Sequence, residues 1–255
     1  MIESDAVIWA TGWHHPYGSM FDPALIATLG IPVPRSRQPE EYRKHWESLE
    51  HAAEAKIVID YPILGNPPQN LNLHLKEYRH YARLYRFMVP PGLTADHDGS
   101  VVFLGNLHPF SIPSWAEIAS LWAEIASLWA EIASLWAISY LEGLFPLNPR
   151  LEVLNDREEM ERQAAYEISY FKLRYIDVMI APVLVMEFRE VCDQLVLDLG
   201  LRPDRKVMQA EREGLWFDPW GWRAWAIEWF SPYSARDYRG LIEEFKDNRR
   251  SYNGT

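Results

Sequence analysis

The 255-residue chain has a single cysteine, Cys192, and this scarcity limits the chemistry open to it. One thiol cannot form an intrachain disulfide or a cysteine-based zinc site, and we expect it to be a small buried hydrophobic residue. The eight histidines form no group with the spacing of metal ligands, so no metal site is predicted. The sequence also lacks a Gly-x-Ser-x-Gly elbow, so nothing supports a hydrolase.

Basic residues are also scarce, because 25 lysines and arginines stand against 36 acidic residues and give a formal net charge of −11. Binding to nucleic acid and adsorption to anionic membranes both require clustered positive charge, so we expect neither. The first residues contain no basic segment followed by an apolar stretch, and the expectation is therefore a cytoplasmic protein.

The absence that bears most on function is that of the glycine-rich turn Gly-x-Gly-x-x-Gly, which occurs nowhere in the sequence. Between a strand and a helix, that turn lets a pyrophosphate lie against the N-terminus of the helix. We therefore expect this chain by itself to bind a dinucleotide weakly or not at all.

The residue pattern predicts both strands and helices. Runs of β-branched and aromatic residues predict strands at 5–10, 57–59, 84–89 and 101–104, of which the last two would form a hairpin or meander pair. Helical spacing and end signals predict a short helical run that ends at Gly30 and helices at 40–55, 114–145, 156–175, 183–199 and 234–249. Tyr85 and Arg86 are interpreted first as part of a half-buried strand pair, and the alternative is that they approach substrate or cofactor in an intact enzyme.

The predicted helix at 114–145 contains the segment Trp-Ala-Glu-Ile-Ala-Ser-Leu three times, at 115–121, 122–128 and 129–135. A seven-residue repeat lines one face of a helix with apolar side chains. A coiled-coil seam would need basic partners, and the helix has no lysine or arginine. A membrane span would place a glutamate of each copy in lipid, at a cost of roughly 2.5 kcal/mol or more each near the centre. We favour a tandem duplication within a buried helix, and self-association through the extra length is the open alternative.

The opening of the chain carries the motif that is most informative about function. An acidic Glu3 precedes an apolar run over 6–9, and this run stops at Thr11-Gly12 before the aromatic Trp13. An acidic residue, a buried strand and then Ala-Thr-Gly-aromatic resembles a signature of the flavin-containing monooxygenases and their relatives. Further segments follow in the same order as in that family, at 84–91, 101–106, 130–143, 198–201 and 237–241.

The resemblance extends from Asp5 to about Phe245 and is to the C-terminal half of flavin-binding monooxygenase-like proteins, so it implies a chain that begins partway through a flavoenzyme. It implies an α/β fold, namely the C-terminal portion of a partial dinucleotide-binding flavoprotein. Residues 1–150 would then complete the FAD/NAD(P)-binding region together with the long repeat helix, and 151–255 would form a helical extension packed on it. The extra repeat copies depart from the family pattern.

The resemblance also implies an enzyme that uses NADPH, FAD and dioxygen to oxygenate a small organic substrate. In the family pattern, Gly105 and Asn106 contact the cofactor, and Thr11 and Gly12 form the turn between the FAD and NADPH domains. Each pair also has a simpler interpretation as the end of a strand or as a turn. No catalytic acid or base is nominated, because the flavin supplies the chemistry. The alternative function is that of a non-catalytic fragment or assembly module acting through the Trp-rich helix.

Overall fold

The computed structural model describes residues 25, 29–30, 38–66, 83–104, 108–109, 116–145, 149–174, 183–184, 188–212, 226 and 235–253. These residues are mainly helical, with α1 at Glu40–Asp60, α2 at Pro91–Ala95, α3 at Ala116–Leu141, α4 at Arg157–Arg174, α5 at Phe188–Asp198, α6 at Arg205–Arg212 and α7 at Leu241–Asn253. Short 3-10 helices cover Pro62–Gly65, Pro149–Asn155 and Ala235–Tyr238. Strand β1, His108–Pro109, pairs in parallel with β2, Val183–Leu184.

Helix α1 confirms the helix predicted at 40–55 and extends it by one further turn. Two glutamates, Glu40 and Glu41, lie in its first turn, where a negative charge is favoured by the helix dipole. The strand predicted at 57–59 is wrong, because Ile57 is fully buried on the same face of this helix as Ala53. Burial of these side chains on one face and the continuing helical hydrogen bonds stabilise the helix by more than the preference of branched residues for strands disfavours it.

The strands predicted at 84–89 and 101–104 are also wrong. Tyr85 and Val89 form one isolated antiparallel bridge across a tight turn in which Arg86 and Phe87 have positive φ angles of 53° and 57°. The turn lets successive side chains enter the core, whereas a strand would send alternate side chains to opposite faces. The two segments are nevertheless neighbours, since the Phe103 N–H donates to the Met88 carbonyl at 2.8 Å. The strand predicted at 5–10 lies outside the described residues.

Helix α3 runs through the main hydrophobic core. The third repeat copy buries Trp129, Ile132 and Ala133, and the following Trp136 is fully buried. Trp136 stacks on Tyr140 with 5.7 Å between ring centroids. The prediction of a buried helix is therefore confirmed for this part of the repeat, whose first two copies lie largely outside the described side chains. In the described part of the chain, no helix is both long and apolar enough to cross a membrane.

The helices predicted at 156–175, 183–199 and 234–249 are confirmed with shifted ends, whereas the run predicted to end at Gly30 lies largely outside the described residues. Helix α4 matches the prediction at 156–175 and begins after Asp156, whose Oδ1 accepts a hydrogen bond from the Glu159 N–H at 3.1 Å. The helix predicted at 183–199 is shorter, because Val183–Leu184 pairs with β1, and it ends as predicted at Gly200, with φ 74°. The helix predicted at 234–249 is interrupted at Gly240, whose φ of 82° separates a 3-10 helix from α7.

Helices α1 and α4 pack closely against each other. Their contact is a small buried cluster of Trp46, Ala53, Ala164 and Ala165. Because alanine side chains are short, the two helix axes can approach closely at this point. Helix α5 belongs to the main core through Cys192, Leu195 and Val196, which confirms the predicted burial of the cysteine. The three helices together enclose the cavity described below.

Candidate functional site

The cofactor contacts predicted from the sequence, Thr11, Gly12, Gly105 and Asn106, all lie outside the described residues. The structure therefore leaves these predictions as they stand. What it does describe is a cavity and a buried charge cluster that the sequence analysis did not identify as a site.

A cavity of about 790 Å³ lies between α1, α4, α5 and the turn at Arg86. This volume falls within the range of small-molecule sites, roughly 300–1,000 Å³. Most of its wall is apolar or aromatic, including Leu49, Tyr61, Phe87, Tyr166, Tyr170, Phe171, Val191 and Leu195. Phe87 and Phe171 contact each other edge to face with 5.4 Å between centroids. Such a wall favours an apolar ligand with a few specific polar contacts.

A buried charge cluster joins this wall to the main core. The guanidinium of Arg86 donates to Glu167 Oε1 from Nη1 at 2.8 Å and to Asp198 Oδ2 from Nε at 2.9 Å. The side chains of Arg86 and Asp198 are only 12% and 1% exposed. The cluster therefore links the turn after Tyr85 to α4 and to the end of α5.

Asp198 is held from several directions. Trp136 Nε1–H, from α3, donates to its Oδ2 at 3.2 Å, and the Gln194 amide donates to its Oδ1 at 3.3 Å. A buried carboxylate with a guanidinium and two further donors has its charge and its lone pairs well compensated. Asp198 is thus the anion that balances Arg86.

Glu167 is in a different electrostatic position. Burial raises the pKa of its carboxyl, and the neighbouring Arg86 offsets only part of this rise. For Arg86, burial disfavours the charge, but the attraction of Glu167 and Asp198 outweighs it and keeps the pKa of the guanidinium above its ordinary value. Glu167 Oε2 is buried and has no hydrogen-bond partner within the described part of the chain. Glu167 therefore retains hydrogen-bonding capacity at the cavity wall.

Other polar contacts of α1, with α4 and with the segment at Arg83, act as structural links. Glu50 accepts hydrogen bonds from Arg83 at 3.3 Å and from Lys172, and the Arg83 guanidinium lies 5.2 Å from the centre of the Trp46 ring. Such contacts fix the spacing of the two helices that form the cavity. Across the described ranges, no group of three or more histidine, cysteine or acidic side chains is arranged to hold a metal ion.

The starts of four of the described helices do not fit the diphosphate of a dinucleotide such as FAD. A phosphate binds where the free N–H groups of a helix start are open to it and no negative charge competes. The first turns of α1, α4, α5 and α7 instead carry acidic residues, namely Glu40, Glu41, Glu158, Glu159, Glu190, Glu243 and Glu244. These carboxylates already interact favourably with the helix dipoles and would repel a phosphate.

Comparison with known proteins identifies the relatives of this chain. It is 31% identical over 239 residues to "FAD-dependent monooxygenase resA" of Aspergillus sclerotiorum, which covers 93% of this chain and 37% of that protein. It is 30% identical over 205 residues to an "FAD-dependent monooxygenase" of Pyrenophora dematioidea, covering 80% of this chain and 33% of that protein. The chain is a relative of the FAD-dependent monooxygenases. The resemblance based on the ordered motifs is therefore confirmed.

A third relative gives the same result. "FAD-dependent monooxygenase rstn6" of Aspergillus nomiae is 28% identical over 250 residues, covering 97% of this chain and 36% of that protein. The chain thus spans about a third of the length of the curated relatives it matches. No family model matches the chain, and no solved structure matches it.

The sequence analysis did not identify Arg86, Glu167 and Asp198 as a cluster. Glu167 lies 81 positions and Asp198 lies 112 positions after Arg86, and each of the three residues occurs in an ordinary local sequence pattern. The one available signal was a charged residue, Arg86, inside the apolar run Leu84–Val89. A charge within a run that is otherwise buried requires a partner, although the run does not say which one.

Proposed function

We propose that this chain serves in an FAD-dependent monooxygenase and that its helical part forms the pocket for the organic substrate. The observation that carries the proposal is the similarity of nearly the whole chain to proteins of that name. The apolar cavity between α1, α4 and α5 supports the second half of the proposal. In such an enzyme NADPH would be the reductant and dioxygen the source of the transferred oxygen.

The proposed cofactor contacts are Gly105 and Asn106, with Thr11 and Gly12 at a second turn. Glycine permits a close approach of the backbone to a ligand, and the asparagine amide can donate a hydrogen bond. The hydrogen bond from Phe103 to Met88 supports this proposal, since it anchors the chain to the core just before Gly105. We also propose that the chain has an α/β flavoprotein fold, with residues 1–150 belonging to the FAD/NAD(P)-binding region and residues 151–255 to a helical extension.

The starts of α1, α4, α5 and α7 do not fit a diphosphate, and the sequence has no Gly-x-Gly-x-x-Gly turn. We therefore propose that dinucleotide binding depends on the portion of the relatives that this chain does not share. No step of the reaction is assigned to a described residue. The part proposed for the described residues is to bind and orient the substrate in a pocket from which water is largely displaced.

A chimera tests this proposal directly. The aligned segment of the Aspergillus sclerotiorum relative is replaced by this chain, and the purified protein is examined for the flavin absorption band and for NADPH-dependent oxygen consumption. We expect the chimera to hold flavin and to oxidise NADPH, and this chain by itself to be colourless. A chimera that folds, as judged by circular dichroism, but is colourless and inactive would overturn the proposal.

The alternative, an assembly module acting through the Trp-rich helix, is favoured by one observation. Ile138 and Leu141 at the end of α3 and Ile242 on α7 are 55%, 50% and 40% exposed, beside a groove between these helices. Light scattering would separate the two functions. A colourless oligomer that becomes monomeric in Ile138→Lys/Ile242→Lys, but not in the control Ile63→Lys, would support the module. A monomeric wild-type chain would exclude it.

A further inference from the structure

The cavity between α1, α4 and α5 combines a large apolar wall with one polar group that lacks a partner. Its volume of about 790 Å³ exceeds what a single ordered water needs by a wide margin. Tyr170 on α4 and Tyr61 beyond α1 contact each other edge to face, with 5.6 Å between ring centroids, and form an aromatic part of the cavity wall. Exposed apolar surface of this concave kind is typical of ligand sites.

The polar group is Glu167. Its Oε1 is used by Arg86, while its Oε2 is buried and forms no hydrogen bond within the described ranges. A buried polar atom of this kind is uncommon in folded proteins and calls for a specific explanation, such as an absent ligand or an ordered water. Because Glu167 itself lines the cavity, a bound molecule is well placed to provide the missing partner.

The charges around Glu167 indicate the chemistry of that partner. Arg86 already forms two hydrogen bonds with Asp198, whose carboxylate balances the guanidinium. Glu167 lies next to this neutral pair, and burial raises the pKa of its carboxyl, so the protonated form persists to higher pH than in an ordinary glutamate. A protonated carboxyl donates a hydrogen bond through its O–H group. For this form, the ligand atom that matches Oε2 is an acceptor.

We propose that this cavity binds an uncharged, largely apolar organic molecule whose carbonyl oxygen, or an equivalent acceptor, receives a hydrogen bond from Glu167. That the molecule is the substrate of a monooxygenase rests on the proposed function. The binding of such a molecule does not rest on the proposed function, because the residues that line the pocket form it without a flavin.

Three naphthalene probes of equal size test the polar contact without FAD or NADPH. They are 2-acetonaphthone, with a carbonyl, 2-isopropylnaphthalene, with no polar atom, and 1-(2-naphthyl)ethylamine, with a cationic amine. Dissociation constants are measured by ligand-observed NMR on the full chain. We expect the ketone to bind about tenfold tighter than the hydrocarbon, as one net hydrogen bond predicts. Equal binding of ketone and hydrocarbon, or tighter binding of the amine, would overturn the proposal.

Variants of Glu167 identify the anchor. Glu167→Gln keeps a donor and should keep most of the preference for the ketone, whereas Glu167→Leu should remove it and leave hydrocarbon binding within about twofold. A preference that survives in a folded Glu167→Leu protein would contradict the assignment. If this variant does not fold, loss of the preference in Glu167→Gln would contradict it equally well, because the glutamine side chain retains an N–H donor.

A blocking variant locates the site. Ala52 lines the cavity from α1, and Ala52→Trp should weaken binding of the ketone and of the hydrocarbon by at least about tenfold by filling the space. The matched control is Ala130→Trp in the groove between α3 and α7, which should leave both constants unchanged. Binding that persists in Ala52→Trp would place the probes elsewhere and refute the site. Because these assays omit FAD and NADPH, they remain decisive even if the chimera is inactive.

Discussion

Two arginines of this chain are each held between two acidic side chains, one inside the protein and one at its surface. Arg86 lies between Glu167 and Asp198 and is 12% exposed. Arg202 donates from Nε to Asp204 at 3.0 Å and from Nη1 to Glu211 at 3.0 Å, and it is 49% exposed. The two sites have the same chemical groups at similar distances and differ chiefly in their contact with water.

The comparison shows that burial changes how much the same set of contacts contributes to stability. At the surface, the hydrogen bonds that Arg202 donates to Asp204 and Glu211 raise the pKa of its guanidinium, and water screens the charges, so such a pair contributes about 0–1 kcal/mol. In the interior, the same attraction must first offset the cost of removing the charges from water. The buried cluster therefore matters most when one member is lost, since the remaining charges are left without compensation.

The largest effect is expected from Arg86→Met. This variant keeps the length of the side chain but leaves the buried carboxylate of Asp198 without its guanidinium, and it should lower the free energy of unfolding by about 3–5 kcal/mol. Urea denaturation followed by circular dichroism measures this change. A loss of less than about 1 kcal/mol would mean that the cluster is hydrated in solution, like the surface one.

A smaller effect is expected from Trp136→Phe. The variant removes the indole N–H that donates to Asp198 and part of a fully buried ring that stacks on Tyr140. We expect a loss of about 1–3 kcal/mol in the free energy of unfolding, from the lost hydrogen bond and the added cavity. The effect should be clearly smaller in an Arg86→Met background, where Asp198 is already perturbed. Strict additivity of the two changes would show that Trp136 does not act through this cluster.

Glu167→Gln should change how stability depends on pH. The pKa of Glu167 lies above its usual 4.5 in the folded chain, so as the pH rises above about 4.5 the folded state retains a proton that the unfolded state has released. The wild-type protein therefore loses stability with rising pH in this window, and glutamine does not titrate. The variant should gain stability relative to wild type from pH 4 to neutral pH, measured by urea unfolding at several pH values. A difference that is constant with pH would contradict the raised pKa.

The smallest effect is expected from Arg202→Met, the surface counterpart of the first variant. Because water replaces the lost contacts with Asp204 and Glu211, the free energy of unfolding should fall by no more than about 1 kcal/mol. The residual effect should diminish further in 1 M NaCl, at which exposed charges are screened over about 3 Å. A loss as large as that of Arg86→Met would remove the distinction between the two clusters.

Local signals predicted the helices well and the strands poorly. The acidic first turn of α1, Asp156 before α4 and Gly200 after α5 act on neighbouring residues, so their effects could be predicted from the sequence. The predictions of strands at 57–59 and 84–89 were wrong because the residue types at these positions do not decide between two backbone forms. Their β-branched and aromatic residues favour burial as much as extension, and the backbone adopted the form that buried them.

The candidate site could not be predicted because its parts are distant in sequence. Nothing near Arg86 indicates that Glu167 and Asp198 will be its partners, and nothing near Glu167 indicates that its second oxygen will lack one. The cavity depends on the spacing of α1, α4 and α5. Between α1 and α4, this spacing rests on the alanine contacts and on the bond from Lys172 to Glu50. Neither the spacing of these helices nor the exclusion of water from the cavity follows from a sequence pattern.

By itself, the sequence determined the relationship to the FAD-dependent monooxygenases, the acidic net charge, the repeat helix, and the absence of a glycine-rich dinucleotide turn. These properties depend on the order and kind of residues along the chain. Only the tertiary structure decided that Arg86 is a buried ion with two acidic partners while Arg202 is an exposed one. The physical reason is that the strength of a charge interaction depends on the surrounding medium, and the packed chain creates that medium.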